Sequence, residues 1–136
     1  MKVVLDTNVW VSGLLFPGGP PDRIVRAILT GQINNGISPD ILTELRRILL
    51  QKFKVAEGVS QGLIHLSTEA STLVYPTERI GVIKSDPADN RILECAVTFG
   101  ADMIITGDTK HLLPIKTYKK IAILSPRIFL DKTGRI

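Results

Sequence analysis

The chain has 136 residues, 44% apolar and 22% charged, with 17 Lys and Arg against 13 Asp and Glu for a formal charge of +4. That composition is ordinary for a globular protein, and the length suffices to bury about two-thirds of the unfolded surface, so a single domain over residues 1–136 is expected. One cysteine, Cys95, excludes a disulfide framework and a cysteine metal cluster, and no apolar run is long enough to cross a membrane. Only Lys2 and a short apolar run precede Asp6, so there is no signal-peptide pattern and a cytoplasmic location is expected.

Lys2 to Leu5 is too hydrophobic to have a wet face, which predicts a central strand of a parallel sheet. Val9 to Leu15 read as a short helix ended by Pro17-Gly18-Gly19. A second helix follows Pro20 and Pro21, with Ile24, Val25, Ile28 and Leu29 at helical spacing, and closes at Gly31. Asn34 to Gly36 form a turn-rich patch beside a weak strand around Ile33 to Ile37. Ser38-Pro39 supplies an N-cap and a first-turn proline for a helix to about Lys52, with Ile41, Leu45, Ile48 and Leu49 on one face. A helix over Ser60 to Thr72, a strand around Leu73 to Tyr75 and a short extended segment over Ile80 to Ile83 are expected next.

Asp86-Pro87 opens a helix that runs to Gly100, with Ile92, Leu93, Ala96 and Val97 at helical spacing and Cys95 inside the apolar pattern. Met103 to Thr106 is an apolar strand, Gly107-Asp108 a turn, and His111 to Leu113 a short helix ending at Pro114. Ile121 to Leu124 is the last clear strand, and Ser125-Pro126 starts a final helix. Alternation of this kind predicts a doubly wound, three-layer α/β/α fold around a central parallel sheet.

Ligands of such folds bind beyond the carboxyl ends of the strands. Asp6 follows the first strand, and Asp108 follows the Met103 to Thr106 strand in the same way. Asp89 lies three and four residues before Ile92 and Leu93, which places its side chain above the buried stripe of its helix. Glu44, three residues after Ile41 and four before Ile48, borders the apolar face of its own helix. Each acid also has a local role open to it. Asp6 and Asp108 fit caps of the helices after them, Asp86 an N-cap, Asp89 a first-turn acid and Glu44 a partner for Arg47. Independent caps need not share a crevice, so the joint pattern is what points to a site.

Clustered carboxylates repel one another and must take up protons or cations, and Mg²⁺ or Mn²⁺ suits an all-carboxylate site. His65 and His111 are isolated and carry no ligand spacing, so both are read as surface or helix-end residues. A metal held by carboxylates neutralises a phosphodiester and activates water for in-line attack, while Lys and Arg hold the backbone phosphates.

The segments LDTNVWVSGLL, SPDILTELRRIL, SDPADNRILECAVTFGAD and IITGDTKHLL together resemble the PIN domain family. They are most similar to the VapC-like branch, the toxin components of bacterial and archaeal toxin–antitoxin systems. The likeness runs from Val3 to about Leu130 and implies a metal-dependent ribonuclease on a PIN-like fold. It matches Asp6, Glu44, Asp89 and Asp108 to the four acids of the family, with Asn8 and Thr106 as orienting groups. Asp86 belongs to a branch-specific DPxD pattern. The implied arrangement is Asp6, Asp89 and Asp108 around one or two Mg²⁺ or Mn²⁺ ions, with Glu44 ligating or orienting the attacking water. A small antitoxin, a homodimer and an RNA substrate follow from the resemblance alone. Asn8 stands where an aspartyl phosphatase has its second acid, and no acid pair of a phosphoryl receiver is present. A non-catalytic RNA- or protein-binding module on the same fold is the alternative function.

Overall fold

The computed structural model describes residues 1–84 and 86–134. Strands and helices alternate as β1 (Lys2–Leu5), α1 (Thr7–Leu15), α2 (Pro20–Leu29), β2 (Asn34–Ile37), α3 (Pro39–Arg47), α4 (Glu57–Glu69) and β3 (Thr72–Leu73). They continue as α5 (Pro87–Phe99), β4 (Met103–Ile105), β5 (Thr117–Tyr118), β6 (Ile121–Leu124) and α6 (Pro126–Thr133). The sheet order is β3-β2-β1-β4-β6-β5, and every pairing is parallel except β5 with β6.

β1 is central because Val3, Val4 and Leu5 offer no polar face, and all three are fully buried. From β1 the chain steps outward through β2 and β3, then crosses back to lay β4 on the other side of β1. That reversal opens a crevice between the carboxyl ends of β1 and β4, the place where doubly wound sheets receive ligands. α5 packs across β1, β2 and β4 with Ile92, Leu93 and Ala96 buried. No helix among the described residues is long and apolar enough to cross a membrane.

Several local expectations are corrected. α1 starts at Thr7 rather than Val9, with Asp6 in the N-cap position. α3 reaches Lys52 as expected, but its last stretch, Ile48–Lys52, widens into a π-type turn. α4 and β3 lie one to three residues earlier than expected, because the buried face of α4 carries Ser60 and Ser67 and gives little apolar period.

Asn34 to Gly36 are strand, not turn. Asn35 is buried and donates to Ser71 Oγ at 2.9 Å. Gly36 is there for close packing, since a Cβ would stand 2.6 Å from the Phe99 ring. Ile80 to Ile83 is irregular rather than extended, as α5 side chains supply its backbone partners. Asn90 Oδ1 accepts from Ile83 N–H at 2.8 Å, and Glu94 Oε2 accepts from Ile80 N–H at 2.7 Å.

His111 is in a turn, and the short helix is a 3₁₀ segment, Leu113–Ile115, that contains Pro114 instead of ending at it. An opening 3₁₀ turn does not need the N–H that proline lacks. β5 was not expected at all.

Candidate functional site at the β1–β4 crevice

Asp6 leaves β1 with its N–H donating to the Ile105 carbonyl of β4 at 2.9 Å. Its own carbonyl accepts from Val9 and Trp10 at 3.0 and 3.2 Å, which starts α1. The side chain, however, makes no cap. It turns across the crevice, where the Thr106 hydroxyl donates to Asp6 Oδ2 at 2.7 Å. Thr106 is fully buried, and its Oγ1 in turn accepts the Asp108 N–H at 2.9 Å. One hydroxyl therefore links the acids that follow β1 and β4.

Asp108 folds the next turn over itself, Oδ1 accepting from the N–H groups of Lys110 and His111 at 3.0 and 3.1 Å. This brings His111 Nδ1 to 3.4 Å from Asp108 Oδ2 and to 3.4 Å from Asp89 Oδ2. α5 delivers the remaining acids from its first turn. Asp86 is its N-cap, accepting from Ala88 N–H at 3.2 Å. Asp89 points inward and is buried, and its Oδ2 has no hydrogen-bond partner among the described residues. The donor atoms of Asp86, Asp89 and His111 all lie within 4.8 Å of one another. A cavity of about 380 Å³ opens over this group, lined in part by Asn8, Asp86, Asp89, Gly107, Asp108 and His111.

The crevice is electrostatically unbalanced. Burial, followed by contact with Asp108 and the charges of Asp6, Asp86 and Asp108, pushes the Asp89 carboxyl up to about 8. Burial also raises Asp6, against the downward pull of the Thr106 hydrogen bond. For Asp108 burial acts upward, but the N–H groups of His111 and Lys110 outweigh it and hold the carboxyl below its ordinary range. Of these acids, Asp89 is the one whose surroundings most oppose its charged form. A buried carboxylate oxygen without a partner, set among three other acids and an imidazole, fits a divalent cation. Such an ion would satisfy the orphaned oxygen and cancel the mutual repulsion.

Of the residues singled out in the sequence, Asp6, Asp86, Asp89, Thr106 and Asp108 converge here, and Asn8 lines the same cavity. Glu44 does not line it. Arg47 holds Glu44 through two contacts, Nε at 3.1 Å and Nη2 at 2.6 Å, the local pairing open to it from its spacing. Asp86 and Asp108 keep their capping roles while facing the cavity. His111 is a correction: it is part of the crevice and not a plain surface residue. Its sequence neighbours gave no ligand spacing because its partners come from α5, and only its place three residues after Asp108 could have drawn attention to it.

A model of the PIN domain family matches residues 2–110. The uncharacterized protein MJ1680 of Methanocaldococcus jannaschii is 33% identical over 144 aligned positions, which take in 97% of this chain and 91% of that protein. VapBC2 from Rickettsia felis, solved bound to a DNA fragment from its promoter, superposes with a TM-score of 0.65 at 14% identity, over 92% of this chain and 98% of that one. FitAB bound to an IR36 DNA fragment superposes with a TM-score of 0.57 at 18% identity, over 91% and 94% of the two chains. These two structures share the fold.

Proposed function

The chain belongs to the PIN domain family, and from that premise and its acidic crevice we propose that it is a metal-dependent ribonuclease. The observation that carries the proposal is the convergence of Asp6, Asp89 and Asp108, with Asp86, at the carboxyl ends of β1 and β4 around one buried, unpartnered carboxylate oxygen. Asp6, Asp89 and Asp108 would hold Mg²⁺ or Mn²⁺. When bound there, such an ion would supply charge neutralisation for a phosphodiester and a more acidic water for in-line attack.

The protein's own groups do the positioning. Thr106 fixes the rotamer of Asp6 through its 2.7 Å hydrogen bond. The N–H groups of Lys110 and His111 fix Asp108. Asp6 and Asp89, both buried, keep bulk water from competing for their oxygens. Glu44 enters as the fourth acid of the family pattern, orienting the attacking water once it is released from Arg47. Exposed Lys84 and Lys110 stand two residues from Asp86 and Asp108, and the net charge of +4 favours a polyanion over a neutral substrate.

The fold neighbours VapBC2 and FitAB support the toxin of a toxin–antitoxin pair with a small antitoxin as partner; a second copy of the chain and a cytoplasmic location complete the proposal. Single-stranded RNA incubated with the protein and Mn²⁺ should be cut to 5′-phosphate and 3′-hydroxyl ends, and EDTA should stop the reaction. Asp6→Asn should abolish it. Full activity in that variant would sink the assignment, and Mn²⁺ binding without cleavage in the unaltered chain would favour the binding-module alternative.

A further inference from the structure

We propose that Asp86, Asp89 and His111 form a mixed carboxylate–imidazole site for a first-row transition cation, Mn²⁺, Co²⁺ or Zn²⁺, bound in preference to Mg²⁺. The proposal rests on the crevice holding a divalent cation at all and adds the role of the imidazole. Two separate elements supply the donors. The N-terminal turn of α5 presents both carboxylates, and the turn after β4 presents the ring. Their donor atoms lie within 4.8 Å of one another.

The independent sign of a missing ligand is Asp89 Oδ2, on a side chain 10% exposed and without a hydrogen-bond partner among the described residues. His111 Nδ1 stands 3.4 Å from that oxygen and 3.4 Å from Asp108 Oδ2, hydrogen-bonded to neither. Two donors each about 2.1 Å from a shared cation in a tetrahedral arrangement stand about 3.4 Å apart, so the pair already has the spacing of co-ligands. The cavity of about 380 Å³ leaves room for waters to complete the coordination.

The donor set decides which cation is favoured. Mg²⁺ is a hard ion that takes oxygens and keeps its waters. An imidazole nitrogen brings affinity that rises along the transition series and gives nothing comparable to Mg²⁺. His111 is thus the residue that separates this crevice from a purely carboxylate one.

Calorimetric titration of the full chain with each metal alone tests the assignment. The unaltered protein should bind Co²⁺ and Zn²⁺ more tightly than Mg²⁺. His111→Ala should weaken Co²⁺ and Zn²⁺ by at least about tenfold and leave Mg²⁺ unchanged within error. Pulsed electron paramagnetic resonance of the unaltered protein loaded with Mn²⁺ should show nitrogen hyperfine coupling, a readout that does not depend on the variant folding. Equal Co²⁺ affinity in His111→Ala, or a Mn²⁺ spectrum with oxygen ligands alone, overturns the proposal. If Mn²⁺ binds without nitrogen and RNA is still cleaved, only the role of His111 falls. If the unaltered chain binds no cation, the nuclease assignment falls with it.

Discussion

α5 carries two buried carboxylates that receive opposite treatment. Glu94, 1% exposed, is satisfied on every side. Its Oε2 accepts the Ile80 N–H at 2.7 Å and lies 2.9 Å from Arg91, while Arg79 stands 3.4 Å from Oε1. Asp89, five residues earlier and buried nearly as well, has an oxygen with no partner and other acids as neighbours. Burying a charge is tolerated only with a counter-charge or a full set of hydrogen bonds. Glu94 has both, so it fastens the 80–83 segment to α5. Asp89 lacks the hydrogen bonds and has only the His111 ring at 3.4 Å beside it, so its surroundings do not favour its charged form. Two buried acids on one helix thus differ in whether the fold satisfies them.

The largest effect should come from removing the satisfied acid. Glu94→Ala leaves Arg91 and the Ile80 N–H without their partner, and should cost about 3–5 kcal/mol, read as a lowered urea midpoint. A loss well under that range would place Glu94 outside the structural framework.

Asp89→Asn should do the reverse. It removes a source of repulsion, so it should raise the melting temperature in EDTA while lowering RNA cleavage on the order of 10²–10³-fold. A variant less stable than the parent in EDTA would erase the distinction between the two acids.

The same contrast has a pH signature. The Asp89 carboxyl is raised from 3.8 to about 8, so between those values the folded chain binds more protons than the unfolded one. Stability of the metal-free protein should therefore fall as pH rises through that window. Melting temperatures recorded in EDTA should show that decline, and Asp89→Asn should flatten it. An unchanged slope in the variant would assign the effect to other groups.

The smallest effect is expected at a pair that is neither buried nor strained. Arg47→Ala removes the partner of Glu44 at the surface of α3 and should shift the urea midpoint by no more than the measurement error. A clear drop in cleavage in that variant would tie the Glu44–Arg47 pair to the site.

What the sequence made legible follows from the range of the forces involved. β1, α5, β4 and β6 announce themselves through apolar patterns that their own burial requires. Ser38, Asp86 and Ser125 announce helix starts because each cap bonds within three residues. Asp6, Asp89 and Asp108 were legible through their positions beside those elements.

The failures share one cause, a partner far along the chain. Gly36 looked like a turn because the Phe99 ring that excludes a side chain there is remote in sequence. Ile80 to Ile83 looked extended because nothing local reveals that Asn90 and Glu94 take the place of a neighbouring strand. β5 was hidden by its turn. Lys119 and Lys120 occupy the two positive-φ positions, at 47° and 69°, where Asn-Gly would have advertised a hairpin. His111 was hidden because Asp89 is 22 residues away.

The link through Thr106 also has a direction. A backbone amide can only donate, so the Asp108 N–H makes the hydroxyl oxygen an acceptor and leaves its single hydrogen for Asp6. While Asp6 is ionised the polarity runs from the β4 loop to the β1 acid, because a carboxylate oxygen can only accept. In that state Asp6 Oδ2 is committed to accepting. A proton on Oδ1 leaves that hydrogen bond intact, and any lone pair Asp6 gives away beyond Thr106 is shaped by it. An uncharged side chain thereby breaks the symmetry between the two oxygens of a carboxylate.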